Sequence, residues 1–404
     1  MNQPLPQSRS RLAIGWCIAV ALVAEIAFAT LNLSTMPVYL TQARGLSERW
    51  VGIALAGFLL SETLLKSRLG AWADRVGPQR PILTGAALGI FSTACTLLMP
   101  MWPGLAVSMV ALRLADGVAA AMIWPSVFLW AASSAHDETE RQKVMGWVNT
   151  CYLVGVALAF PLGGFANDLS RWTGAGIVAS GVLFVVLAGL ALVSGASDKS
   201  SASAHAERVE GGASSAAWPY MVVGFLIFAA IGFPSFIAKL LPIQVFKISE
   251  SAVGASVLPA ALGLAVLAGP VSRLGARLGA YRAMMLGLAL SLVGSIPLAL
   301  ATTVPSLQTL PVLIGCALPL GVGFLLAMPA WYARVAEIDP ARKGQNLGAV
   351  MAAQGVGAVV AGPTGTWLFE LAPFSPFIGT FALLLIGTAV ASSASFRPQE
   401  PPAM

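Results

Sequence analysis

The chain has 404 residues, 57% of them hydrophobic and only 10% charged, against roughly 25% charged in soluble domains. A water-soluble fold of this length has no interior for that much apolar surface, so composition excludes a soluble enzyme or carrier and calls for a bilayer. The mean hydropathy of +0.81 agrees, and the net charge of +6 with a pI near 9.4 reads as a topology signal, with no nucleic-acid partner implied.

A membrane-crossing helix needs ~20 mostly apolar residues. Twelve such stretches are read, near 12–40, 49–71, 80–99, 103–134, 144–166, 173–194, 218–242, 251–272, 282–301, 309–333, 344–368 and 376–395. The first opens behind Arg9 and Arg11 and contains Ala27-Phe28-Ala29, which mimics a secretory signal. Its apolar character runs on to Leu40, far beyond a signal core, so it is read as a span. Glu25 lies near its middle with no charged residue three or four positions away, and Asn32 follows. In the second span Glu62 precedes Lys66 by four residues, a favourable ion-pair spacing on a helix. Lys66 is also near enough to the end to snorkel.

The next loop reads Gly70-Ala-Trp-Ala-Asp74-Arg75-Val-Gly77-Pro-Gln-Arg80. Its glycines permit close helix approach and a tight turn, and Asp74 can accept from helix-start amides. The fourth span carries Arg113-Leu-Ala-Asp116-Gly117 and then Trp124. An ionisable residue at that depth is a functional candidate by default, although Arg113 and Asp116, three apart on one face, can simply neutralise each other. The fifth span sets Gly146 and Gly155 ahead of Ala159-Phe-Pro161-Leu-Gly163-Gly164. A glycine-lined helix of this kind packs closely and bends at its proline.

Ser194–Ala217 is the one long polar interruption. It divides the chain into residues 1–196, a linker at 197–216 and residues 217–404, and its Ser, Ala and Gly content suits a flexible connector. Beyond it lie Phe236 and Lys239 in span seven, Trp331 in span ten and Gln354 in span eleven. The second half copies the first at an offset of about 202 residues, which marks a repeat-built membrane transporter. Arg75, Gly77, Arg80 and Gly85 recur as Arg277, Gly279, Arg282 and Gly287, and Gly146, Gly155, Pro161 and Gly163 recur as Gly348, Gly357, Pro363 and Gly365. Asp74, however, meets Ala276, so the two loops are not chemically equal. Most Lys and Arg fall at ends and loops that place both termini in the cytoplasm. The four cysteines lie in apolar segments without paired spacing, and His136 and His205 lie in loops, so no metal site is expected.

The loop from Gly70 to Arg80 resembles motif A of the major facilitator superfamily, with Pro78 where a basic residue is common. Arg113-Leu-Ala-Asp116-Gly117 resembles motif B. The fifth span resembles motif C of the exporter branches, although Ala159 replaces a glycine and Pro161 sits one position late. The resemblance covers essentially the whole chain and is nearest to the twelve-span drug/proton antiporters. It implies an all-α membrane protein of two pseudo-symmetric six-helix bundles that rock about a central cavity. The cavity would be lined by spans one, four, seven and ten, with Asn32, Trp124, Phe236 and Trp331 among its residues. Gly70, Asp74, Arg75, Gly77 and Arg80 would gate the cytoplasmic side. Gly146, Gly155, Pro161, Gly163 and Gly164 would pack the fifth helix.

Burial disfavours the ionised form of a carboxylate, so one that moves between dry and wet surroundings can take a proton on one side and yield it on the other. Glu25, Asp116 and Glu62 are the candidates, with Glu25 first and Glu62 tied to Lys66. The leading expectation is proton-coupled export of small lipophilic or amphipathic molecules by alternating access, from a monomer in the cytoplasmic membrane. The alternative is an importer or facilitator of a small anionic solute held by Arg113 and Lys239. A membrane-embedded enzyme or sensor finds no catalytic residues, metal-ligand pair or appended domain in its favour. No cofactor is expected, and no phosphate-binding glycine loop points to ATP hydrolysis.

Overall fold

The computed structural model describes residues 7–134, 138–194, 215–338 and 343–393. Most of the expected linker at 197–216, both histidines, the side chain of Asp74 and the packing of Gly146 lie outside the described residues. Twelve long helices follow one another: α1 (Gln7–Ala29), α2 (Glu48–Val76), α3 (Gln79–Leu98), α4 (Leu105–Ser134), α5 (Glu138–Ser170), α6 (Ala175–Val193), α7 (Trp218–Ile237), α8 (Glu250–Leu278), α9 (Ala280–Leu300), α10 (Leu310–Ile338), α11 (Lys343–Leu371) and α12 (Ser375–Ala391). Among the described residues, 10 helical stretches are long and apolar enough to cross a membrane; α11, of 29 residues, and the shorter apolar α12 complete the set.

The first span is not one regular α-helix. Beyond Ala29 the backbone widens into π-helix at Thr30–Thr35 and again at Tyr39–Ala43, with one α turn, Met36–Val38, between them. Pro37 has no N–H to give to the carbonyl four residues back, so the hydrogen-bond register has to shift there. Asn32 donates its amide to the Phe28 carbonyl at 3.1 Å within this widened stretch. The span thereby runs to Ala43, three residues beyond its sequence-predicted end.

By packing, the chain forms two units: Met1–Ala206 with Lys247–Ala261, and Glu207–Phe246 with Leu262–Met404. In the first, α1 packs on α5 and α6, and α3 packs on α4 and α6; in the second, α7 packs on α11 and α12, and α9 packs on α10 and α12. Each of the first four pairs thus has its copy. Ser180 of α6 donates to the Ala27 carbonyl at 2.8 Å, and Thr380 of α12 donates to the Ala230 carbonyl at 2.9 Å. Glycines carry the close approaches: a Cβ at Gly85 would lie 2.7 Å from Ile123, and one at its copy Gly287 would lie 2.8 Å from Ala327. Lipid tails are as apolar as leucine, so small residues and interhelical hydrogen bonds hold such bundles. Gly77 ends α2 at φ +85°, ψ 162°, and Gly279 precedes α9 at φ +78°, ψ 156°. Only glycine enters that backbone region without strain.

The first unit is pinned by a wholly buried arginine. Arg113 forms an ion pair with Asp116 on its own helix. Its guanidinium also donates to Asn32 Oδ1 at 3.3 Å, Ser92 Oγ at 3.3 Å and Thr96 Oγ1 at 2.8 Å. One side chain thereby ties α4 to α1 and α3. A second polar cluster joins the end of α5 to the start of α8. Asn167 donates to Glu250 Oε2 at 3.0 Å and accepts from the Gly176 N–H at 2.8 Å, while Asp168 accepts from the Ser251 N–H at 2.8 Å. Gly164 and Gly254 let the backbones meet there; a Cβ on Gly254 would sit 2.7 Å from the Pro161 nitrogen.

Gly279 has open space around it, so replacing it tests the backbone alone. Gly279→Ala is expected to lower stability by about 1–3 kcal/mol, read as a lower denaturant midpoint in detergent. Asp116→Asn leaves Arg113 without its counter-charge and is expected to cost about 3–5 kcal/mol. Thr96→Val removes one neutral partner and should cost roughly 0.6 kcal/mol in the same assay. Equal losses from these last two would contradict the hub.

Candidate functional site

Helices α1, α2, α4 and α5 of the first unit bring the membrane-embedded acids and aromatics into one neighbourhood. Glu25 of α1 is only 5% exposed. Among the described residues it makes neither an ion pair nor a hydrogen bond, unlike Asp116 and Glu62, which are both ion-paired. Its stem lies against the backbone of α5 at Gly155, where a Cβ would fall 2.6 Å from Glu25 Cβ and 2.7 Å from Cγ. Glu62 and Lys66 of α2 lie within its electrostatic reach, and Tyr152 of α5 lies within reach of both carboxylates.

Each neighbour is placed by its own local device. Ser61, beside Glu62, donates to the Leu114 carbonyl of α4 at 2.8 Å, and Gly117 of α4 leaves room for the α2 backbone there. Lys66 Nζ then meets Glu62 Oε1 at 2.8 Å, the pairing expected from their four-residue spacing. Lys66 is 48% exposed and Glu62 16%, so polarity grades from an outer cation to the dry carboxyl of Glu25. Trp124 of α4 is buried and meets the half-exposed ring of Tyr152 edge-on at 5.6 Å.

The remaining candidates fall elsewhere. Arg113, Asp116 and Asn32 share the buried hub, where every named partner is protein, so the pair neutralises itself as its spacing allows. Gly70 of the expected cytoplasmic gate packs 3.4 Å from Pro125 as judged by a Cβ placed on it, and Arg75 and Arg80 are exposed. The α5 glycines divide their work: Gly155 faces Glu25, Gly163 faces Ser34 and Thr35, and Gly164 with Pro161 faces the start of α8. Lys239, Phe236 and Trp331 belong to the second unit. Lys239 sits where α7 breaks before a short helix, Leu240–Val245, and at 2% exposed it is buried. Trp331 meets Tyr220 at a tilt, with ring centroids 5.3 Å apart, within the core of its unit.

Sequence reasoning missed Tyr152, Ser92, Thr96 and Asn167. Ser92 and Thr96 carried a signal, two hydroxyls four apart on one helical face. Tyr152 stands one turn before Gly155, and nothing in the chain order announces that it comes within electrostatic reach of Glu25.

Comparison with known proteins agrees with this architecture. The family model described as Major Facilitator Superfamily matches residues 18–263 and 220–404. An MFS-type transporter of Salmonella typhimurium is 26% identical over 180 residues, 42% of this chain and 43% of that protein. Multidrug resistance protein 2 of Bacillus subtilis is 29% identical over 152 residues, 37% of this chain and 36% of its own length. The matched stretches thus span less than half of these curated relatives. Two solved structures share the fold across nearly the whole chain. The nucleoside transporter NupG, in a mutant form, gives a TM-score of 0.71 at 12% identity, covering 94% of this chain and 98% of its own. A structure from work on proton dependent oligopeptide transporters gives 0.72 at 14%, covering 94% and 97%. The family match covers nearly the whole chain, and the apolar helices cross a membrane several times, so the chain belongs to the Major Facilitator Superfamily and is a multi-pass membrane protein.

Proposed function

We propose that the chain is a proton-coupled exporter of small lipophilic or amphipathic molecules, cycling by alternating access in a cytoplasmic membrane with both termini inside. The observation that carries this reading is Glu25, buried in a membrane-spanning helix and without ion pair or hydrogen bond among the described residues. An unpaired charge in such a place costs several kcal/mol, so an ionisable group held there points to a role in handling charge. Glu25 carries the proton. Glu62 and Lys66 form the charged approach to it, and Trp124 and Tyr152 offer flat apolar surface with one polar tip for cargo.

Entry of a proton down its gradient then drives cargo outward through the opposite change of state. Asp74 and Arg75 gate the cytoplasmic side in this reading, while Arg113 and Asp116 brace the bundle. The match to a protein named for multidrug resistance favours export of apolar cargo. The uptake reading for an anionic solute loses its main cation, because Arg113 is closed on Asp116, Asn32, Ser92 and Thr96. The exporter works without a cofactor, as a monomer, with protons, small solutes and lipid as its partners.

Proteoliposomes loaded with a panel of lipophilic dyes, ethidium among them, test this under an imposed pH gradient. The parent protein is expected to move dye against its gradient when protons run the opposite way, and to reverse when the pH gradient is reversed. Glu25→Gln should lower gradient-driven movement about 100-fold, a size typical of losing one proton-transfer group, while leaving dye–dye exchange in place. Full gradient-driven movement by Glu25→Gln removes Glu25 from the mechanism. Dye moving with the protons makes the chain a symporter.

A further inference from the structure

A carboxyl without ion pair or hydrogen bond among the described residues needs something to hold it. Gly155 is closer to Glu25 than any side chain would permit, because a Cβ there would also lie 3.3 Å from the Ile26 nitrogen. The atoms in the way are Glu25 Cβ and Cγ and the backbone of α1, and of these the Cβ and the backbone are fixed by the helix itself. One turn earlier on the same helix as Gly155, Tyr152 lies within electrostatic reach of the carboxyl, and its ring meets Trp124 edge-on at 5.6 Å. The other charges around Glu25 are Glu62 and Lys66 of α2. On α4, Arg113 and Asp116 are closed on each other, and α6 presents the neutral hydroxyl of Ser180.

We infer that Gly155 and Tyr152 are positioning residues for Glu25, so that the approach of α5 to α1 sets the surroundings in which the carboxyl gains and loses its proton. This rests on Glu25 being the proton-carrying group. It assigns the glycine of the fifth helix a task beyond packing.

The internal repeat supplies a matched control. Gly357 holds the same place in α11, and its missing side chain would meet backbone only: the Phe225 carbonyl oxygen most closely, then the Phe225 carbonyl carbon at 3.1 Å and the Ala229 nitrogen at 3.2 Å. The position matching Glu25 there is Ile227. Gly357→Ala therefore disturbs an equivalent helix contact with no carboxylate beside it.

The experiment follows modification of Glu25 by dicyclohexylcarbodiimide, which attacks protonated carboxyls in apolar surroundings, by mass spectrometry across a pH series in full-length protein in liposomes. Gly155→Ala and Tyr152→Phe are each expected to displace the labelling curve by about half a pH unit or more. Gly357→Ala should leave the curve on that of the parent. Should Gly155→Ala not accumulate, Tyr152→Phe decides, since it removes one hydroxyl and keeps the ring. The inference is overturned if both variants label like the parent, or if Gly357→Ala shifts the curve as far as Gly155→Ala. These outcomes are separate from the fate of the proton reading, which turns on gradient-driven dye movement by Glu25→Gln.

Discussion

Hydrocarbon offers no partner to a charge or to a backbone amide, and this constraint organises the whole molecule. Arg113 shows its force. A guanidinium with no exposure is met by a carboxylate, an amide and two hydroxyls drawn from three helices, so satisfying one charge assembles much of the first unit. Glu250 and Asp168 show it again at the start of α8, where side chains from α5 meet a buried acid and an exposed helix-start amide. Against that background Glu25 stands out. Among the described residues the fold answers its other embedded charges with partners, and leaves Glu25 against the backbone at Gly155.

The repeat makes the difference between scaffold and chemistry visible. Glycine approaches, hydroxyl-to-carbonyl bonds and the glycine turn at the head of the third helix occur in both copies, because each copy faces the same packing problem. The charges do not recur. Glu25, Glu62, Lys66, Arg113 and Asp116 correspond to Ile227, Leu264, Ala268, Gly315 and Leu318. Tyr152 corresponds to Gln354, which accepts a hydrogen bond from the Tyr332 hydroxyl at 2.9 Å. Packing is thus duplicated, while ionisable chemistry is concentrated in the first copy. Interhelical contacts that recur answer a packing problem common to both copies; the Arg113 hub, found once, braces the first copy alone.

Much of this architecture was legible in the chain. Span lengths, the repeat offset and the glycine spacing follow from rules that act locally or periodically, so residues such as Gly77 and Gly279 declared their role before any coordinates. The Glu62–Lys66 pair was equally legible, because four residues on a helix bring side chains together whatever lies around them. The π-helical widening of the first span was not read, although Pro37 and the polar run around Asn32 were its cause. The chain order places Lys239 in span seven, but the break in α7 that buries it is not written there.

What the sequence determined by itself is the membrane class, the doubled six-helix plan and the short list of charges that lipid would not tolerate unaided. Only the tertiary structure decided which charges are spent on one another and which is left over. Partners such as Ser92 and Thr96 for Arg113, or Gly155 and Tyr152 for Glu25, come from helices far apart in the chain. Helical periodicity says which face a residue shares; it carries no information about which other helix that face will meet.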